Sequence, residues 1–426
     1  MKLRKMISLT CVVGVVLSLV ACGGKKQNES QAATDTSSKK TQIKFWNHWG
    51  SETNEAKWFN DKIAEYEELN PDVEITQTNI PMEDYTGARL TTAFATGEGP
   101  DIFSASPGTL PAFTEADVLY DLSKYFSEDV LADFSEDAIN SVSVDGKILA
   151  APFEQDLLGL YYNKDMLDAA GITPPTTWDE MIAAAKALTT SDVWGITYDL
   201  TKGAYGNFIF MPFVWQTGGD FFEGDKSLLN TPEMIKALTM WKQMVDDGSA
   251  NIKPSRFASD GAILAEGETA MWIGGSWAIT QYEKEYPDMN IGLVPLPIPD
   301  GGKPASAGGG WRLAVSSQSQ VAEQAAKFVQ WLFLDEDPTN AIQWNTEVKF
   351  SYSPRKSVIE QAEDIYQKGL RATFTNEIYG TEQPELSMEP EVSDIIGDML
   401  QNAIFSMSPE DAAKEGDRKL TEFFEN

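Results

Sequence analysis

The chain is poor in the side chains that form disulfides, hold transition metals or grip polyanions. It has two cysteines in 426 residues, Cys11 and Cys22, both near the N-terminus. Everything after Cys22 therefore lacks a thiol, which excludes a disulfide framework and a thiolate nucleophile in the body of the protein. His48 is the single histidine, so a histidine metal cluster is excluded as well. Basic residues are scarce: 33 Lys and Arg stand against 65 Asp and Glu, a formal net charge of −32. Such a surface repels nucleic acid and anionic headgroups, and a polyanionic ligand would need a local basic pocket. Gly308-Gly309-Gly310 lacks the Lys-Ser/Thr ending of a phosphate loop. No loop has calcium-ligand spacing, and no repeat of solenoid length occurs. The apolar stretch over residues 6–20 is too short to span a bilayer comfortably.

What is present begins with that stretch. Lys2, Arg4 and Lys5 precede it, small residues follow, and Cys22 comes directly after Leu19-Val20-Ala21. This order is that of an export leader. Leu19 to Cys22 resembles a bacterial lipobox, which implies cleavage before Cys22 and lipidation of its thiol and new amine. Loss of Lys2, Arg4 and Lys5 would take the net charge from −32 to −35. Residues 22–40 are polar and small and read as a flexible tether. The expected location is the extracytoplasmic face of a cell membrane, lipid-anchored, with the long tether favouring a Gram-positive surface over a periplasm.

Removal of 21 residues from 426 leaves 405, more than one comfortable hydrophobic core, so two domains are expected. Ile43 and Phe45 alternate with polar neighbours as in a strand, and Ala56, Phe59, Ile63 and Tyr66 recur at helical spacing before Asn70-Pro71. Thr177 and Glu180 have capping-box spacing ahead of a helix whose face carries Trp178, Met181, Ile182, Ala185 and Leu188. Further strands are expected at 194–198, 269–273, 291–294 and 312–315. Helical faces recur at Val321/Ala325/Phe328/Leu332 and Val392/Ile395/Met399/Ala403. Strands alternating with helices predict an α/β architecture.

Several segments carry a family resemblance. They are Phe45-Trp46-Asn47-His48-Trp49-Gly50, Gly99-Pro100-Asp101-Ile102, Leu160-Tyr161-Tyr162-Asn163-Lys164-Asp165-Met166-Leu167, Pro175-Thr176-Thr177-Trp178-Asp179-Glu180, and the stretch from Glu266 through Gly274-Gly275-Ser276-Trp277. In order and spacing these resemble the extracellular solute-binding proteins of ABC importers, in the sugar-binding group that includes maltose-binding protein. The resemblance implies a two-lobed, periplasmic-binding-protein-like fold of type II, with a ligand cleft between lobes joined by crossing segments. It places lobe 1 at 41–154 and 305–350, and lobe 2 at 155–304 and 351–426. The crossings fall near 151–158, 296–306 and 350–354. The Pro-rich stretch from Pro295 to Gly302 supports the second crossing independently.

Sugars present flat C–H faces ringed by hydroxyls, so a site for them needs aromatic planes and planar polar groups. Trp277, pushed off a strand end by Gly274-Gly275-Ser276, corresponds to an aromatic that stacks on sugar in the family. Trp49 and His48 follow the first strand, where α/β clefts collect ligand contacts. Trp311 follows three glycines, where backbone can approach a ligand. The resemblance puts a sugar-binding carboxylate at Glu154 or Asp156. It also brings in Tyr205, Asn207, Trp215 and Gln216 from an aromatic, polar stretch, and Arg355 after the third crossing. A late stacking aromatic of maltose-binding protein is aliphatic here, near Ile395, so maltodextrin specificity does not carry over.

The expected function is capture of a carbohydrate, an oligosaccharide, and its delivery to a membrane permease. The protein would act as a non-enzymatic monomer without cofactor or metal, with no nucleic-acid partner and with the membrane engaged through Cys22. Two other readings stand beside it. The same fold could bind a polyamine or another non-sugar solute. A surface glycoside hydrolase would instead need two carboxyls at a defined separation across the scissile bond, and would release monosaccharide from oligosaccharides.

Overall fold

The computed structural model describes residues 40–425. The expected leader, the expected lipidation site Cys22 and the expected tether up to residue 39 lie outside the described residues. Along the chain run β1 (Thr41–Asn47), β2 (Val73–Asn79), β3 (Ile102–Ala105) and β4 (Ala151–Pro152). They are followed by β5 (Leu158–Asn163), β6 (Trp194–Thr197), β7 (Thr269–Gly275) and β8 (Ile291–Val294). Then come β9 (Ser306–Gly308), β10 (Arg312–Val315) and β11 (Glu382–Pro384).

Two sheets organise the molecule. The first has the order β2-β1-β3-β10-β4, with β1 parallel to both β2 and β3 and β10 antiparallel to β3 and β4. The second has the order β8-β5-β7-β6. Each carries its own hydrophobic core. Ile43 and Phe45 on β1, Phe103 on β3 and Leu313 on β10 anchor the first, closed by Phe59, Phe328 and Trp344 from covering helices. The second gathers Leu158 and Leu160 with Met181, Phe213, Trp241, Ile396 and Leu400. A third cluster, around Tyr161, Trp272, Tyr282 and Phe350, packs on the other face of β5 and β7. A short parallel pair, β9 with β11, sets Ala305 and Ala307 in the second core, and the chain rejoins the first core at Trp311.

Local chemistry explains the elements. On the helix Asn54–Leu69, Thr53 caps the N-terminus by accepting from the Ala56 amide, and the buried stripe Ala56, Phe59, Ile63, Tyr66 faces the first sheet. Thr177 and Glu180 form a reciprocal capping box at the start of Trp178–Leu188. The helix Ala204–Gln216 differs: every residue from Gly206 to Gln216 is buried, so it has no polar face. Its Pro212 lies inside the helix, at a position that cannot donate a backbone hydrogen bond. No helix among the described residues is long and apolar enough to cross a membrane.

Candidate functional site

A cavity of about 420 Å³ opens between the first core and the other two. Its first wall comes from the carboxyl end of β1 and the entry to β10. His48 and Trp49 leave β1, and Trp311 precedes β10. The His48 ring stacks on Trp311 with centroids 3.7 Å apart and planes 25° from parallel. Its Nδ1 lies 3.2 Å from the Ser104 hydroxyl. Burial, reinforced by the Lys349 ammonium, holds His48 well below its ordinary pKa, so the ring is neutral. Trp49 touches the imidazole on one side and Phe59 and Trp344 of the core on the other, with centroids 4.3, 5.1 and 5.1 Å away. Gly310, with φ +98°, lets the chain pass against the Glu154 carbonyl, where a Cβ would sit 2.7 Å from that oxygen. This close approach sets the angle at which Trp311 enters the wall.

The opposite wall comes from the N-terminal turn of the helix Ala204–Gln216 and the carboxyl end of β7. Tyr205, Phe208 and Trp277 line it, with Phe257 beside them. Gly275 has no side chain because the Trp277 ring occupies that space; a Cβ there would lie 1.9 Å from the indole. The Trp277 Nε1 donates to the Ser259 carbonyl at 2.9 Å, which fixes the plane of the ring. The Tyr205 and Trp277 rings meet edge to face at 6.3 Å.

Under the cavity sits a buried ionic triad. The Lys349 ammonium donates to Glu154 Oε1 at 2.6 Å and to Asp156 Oδ2 at 2.7 Å. Glu154 also accepts from the Trp311 amide at 3.1 Å and the Trp344 indole at 2.6 Å, so it braces the first wall from behind. Asp156 accepts from the Ser276 hydroxyl at 3.0 Å, next to Trp277. Burial pushes the Glu154 carboxyl up to about 7, with Lys349 pulling the other way. For Lys349 burial lowers the pKa, but the Asp156 and Glu154 carboxylates outweigh it and the ammonium is held above its ordinary value. The triad thus ties both aromatic walls to one charge.

The structure brings together six of the residues singled out from sequence: His48, Trp49, Asp156, Tyr205, Trp277 and Trp311 line the cavity. Glu154 lies behind it, 1% exposed. The other four are engaged elsewhere. The Asn207 amide donates to the Ser393 carbonyl at 3.0 Å. Trp215 is in the second core and reaches Asp220 at 3.4 Å. Gln216 accepts from the Trp178 indole at 2.8 Å. Their helix is buried all round, so a polar or aromatic side chain on it meets core more often than cavity. Arg355 pairs with Asp133 at 2.7 Å and donates to the Asp335 carbonyl at 2.7 Å, joining two surface segments away from the cavity.

Sequence reasoning missed Phe208, Lys349, Thr280 and Glu385, all of which line the cavity. Phe208 follows Tyr205 by one helical turn and could have been found from that spacing. Lys349 has one apolar neighbour on each side, Val348 and Phe350, with Glu347 and Ser351 just beyond, which is at most a weak sign of a buried ion pair. Thr280 and Glu385 carry no local signal.

The comparisons with known proteins agree with this architecture. A family model described as bacterial extracellular solute-binding protein matches residues 49–337. A multiple sugar-binding protein of Streptococcus mutans is 23% identical over 393 residues, 89% of this chain and 89% of that protein. A maltotriose-binding protein of Pyrococcus abyssi is 27% identical over 293 residues, 65% of this chain and 60% of that protein. Among solved structures, an ABC transporter solute-binding protein of Thermotoga lettingae bound with α-D-tagatose superposes with TM-score 0.80. It is 23% identical, over 90% of this chain and 100% of that one, a likeness of the two-lobed fold. With two α/β lobes, a cavity between them and a family match over most of its length, the chain belongs to the bacterial extracellular solute-binding proteins.

Proposed function

We propose that this protein is the solute-binding component of an ABC importer, that its ligand is a carbohydrate of more than one sugar unit, and that it hands this ligand to a membrane permease from a lipid anchor on Cys22. The observation that carries the carbohydrate reading is the two-sided aromatic cavity. The His48–Trp311 stack and Trp49 face it from one lobe, and Trp277, Tyr205 and Phe208 face it from the other. Sugar rings laid between such planes bury their C–H faces, while Gln281 and Ser259 beside the planes, and Asp156 and Lys349 at the floor, offer polar groups to the hydroxyls. A ligand touching both walls favours the closed arrangement over the open one by its contacts in the closed state, and no covalent step is required. The names of the sugar-binding relatives support the same reading.

The test is calorimetric titration of the mature protein with a panel of mono- and oligosaccharides, repeated on Trp277→Ala. Saturable binding of an oligosaccharide, weakened by on the order of 1–3 kcal/mol in the folded variant, is the expected result. Equal affinity in wild type and variant would remove Trp277 from the site, and release of monosaccharide during the titration would replace the binding role with a hydrolytic one.

A further inference from the structure

The cavity wall carries a charge imbalance that stacking on sugar faces leaves unexplained. Among the described residues, the carboxylates of Glu55, Asp156, Asp260, Glu285 and Glu385 line it, against the single ammonium of Lys349. Lys349 is already committed to Glu154 and Asp156. Asp260 faces Arg256 at 3.4 Å and the Gln281 amide at 3.1 Å. His48 is neutral.

Glu385 stands apart. It is 9% exposed, and its Oε1 accepts from the Gly108 amide at 3.0 Å. Two glycines make room for it: a Cβ at Gly108 would lie 2.6 Å from Oε1, and one at Gly309 would lie 3.0 Å from Oε2. No described cation forms an ion pair with it. Arg312 acts on it electrostatically, yet that guanidinium is itself buried and spends Nη1 on the Gly309 carbonyl at 3.4 Å. Burial accordingly raises the Glu385 carboxyl to about 7.

Two hydroxyls of residues lining the same cavity are unsatisfied. Thr280, 3% exposed, has no hydrogen-bond partner for Oγ1, and neither has the Tyr205 phenol. Buried polar groups left unpaired cost stability, and a guest that reached these two would relieve that cost.

We infer that the guest is a carbohydrate bearing a protonated amino group, and that Glu385 receives this group inside the cavity. The inference rests on the carbohydrate reading above and adds its charge. An ammonium set against Glu385 makes a charge-assisted hydrogen bond to a buried carboxylate, whereas a neutral hydroxyl in the same place leaves that charge to Arg312 alone, which forms no ion pair with it. The aromatic lining of the same cavity also favours a cation, because Tyr and Trp faces attract positive charge. The acidic exterior draws cations toward the cleft and repels uronic or phosphorylated sugars.

The experiment titrates the mature protein with amino-sugar oligomers, each paired with its own N-acetylated form, together with neutral and uronic-acid oligosaccharides and spermidine. For at least one pair the free amine should bind about ten-fold or more tighter than its N-acetylated partner. Glu385→Gln keeps an oxygen for the Gly108 amide and should narrow that ratio to near unity, with thermal melting used to establish that the variant is folded. Preference for the N-acetylated partner in every pair, binding of neutral sugars alone, or an amine preference that survives Glu385→Gln overturns the inference. Binding of neutral sugars alone leaves the carbohydrate reading standing. Binding of spermidine with no saccharide of any charge overturns the carbohydrate reading as well as this one.

Discussion

The two walls of the cavity are made of the same residue types and held in different ways. On the first, Trp49 and Trp311 are 7% and 8% exposed, and Trp49 continues into the aromatic core through Phe59 and Trp344. Moving either ring means disturbing that core, which is close-packed and resists displacement. On the second, Trp277 is half-buried, seated over Gly275 and fixed by one hydrogen bond to the Ser259 carbonyl. Tyr205 beside it has an unsatisfied hydroxyl. The first wall is therefore a rigid plate continuous with a hydrophobic core, and the second is a polar-edged surface with hydrogen-bonding capacity in reserve. The comparison teaches that affinity and fold stability should separate: damage to the first wall reaches the core, while damage to the second stays in the site.

The largest effect is expected at the triad joining the walls. Lys349→Met leaves Glu154 and Asp156 buried without their cation, and should cost about 3–5 kcal/mol in urea unfolding. A loss well below 1 kcal/mol would mean the triad does not brace the site. Next, Trp311→Ala should lower both stability and affinity, whereas Trp277→Ala should lower affinity with a melting temperature near wild type. Equal stability losses in the two variants would erase the distinction between plate and surface.

A smaller effect is set by pH. Burial raises Glu385 and Glu154 to about 7 and raises Glu55 as well. 

At Glu55, burial outweighs the opposing hydrogen bonds of its own amide and Thr53 and the pull of Lys349. A carboxyl raised on folding binds more protons in the native than in the unfolded state. Its contribution is fully present below the ordinary carboxylate range and is lost as pH rises through the folded value. The groups facing Glu385 are Arg312 and the Gly108 amide, and those facing Glu154 are Lys349 and Asp156. Stability of the ligand-free protein should thus fall on the order of 1–3 kcal/mol between about pH 5 and pH 8. Asp133, held below its ordinary value by Ser357 and Arg355 despite burial, acts in a separate window at lower pH. Flat stability across the upper window would place these carboxyls in a more compensated setting. The smallest effect is Thr177→Ala, which removes a capping box outside the cavity lining and should cost about 1 kcal/mol of stability with affinity unchanged.

Much of the fold was legible because it is written in local pattern. The strands at 291–294 and 312–315 occur with those bounds, and the stripe Val392, Ile395, Met399, Ala403 is buried along Pro390–Phe405. The 321–332 face also forms, although its last turn is a π-helical segment, Gln330–Leu334. The cavity was legible only where a residue follows a strand end or a glycine turn, as at His48, Trp49, Trp277 and Trp311. Proximity in sequence to a cavity residue was a poor guide on the buried helix: Tyr205 reaches the site while Asn207, Trp215 and Gln216 serve the core. Glu385 and Lys349 were hidden because their roles depend on pairings over long separations, Gly108 with Glu385 and Glu154 with Lys349, which no local periodicity records.

Native mass spectrometry of the mature protein purified from its own cells tests the central claim most directly. The expected result is a bound species whose mass resolves into sugar units and which disappears in a folded Trp277→Ala, Trp311→Ala double variant. A bound species containing no sugar unit, or one retained undiminished by the double variant, would contradict it.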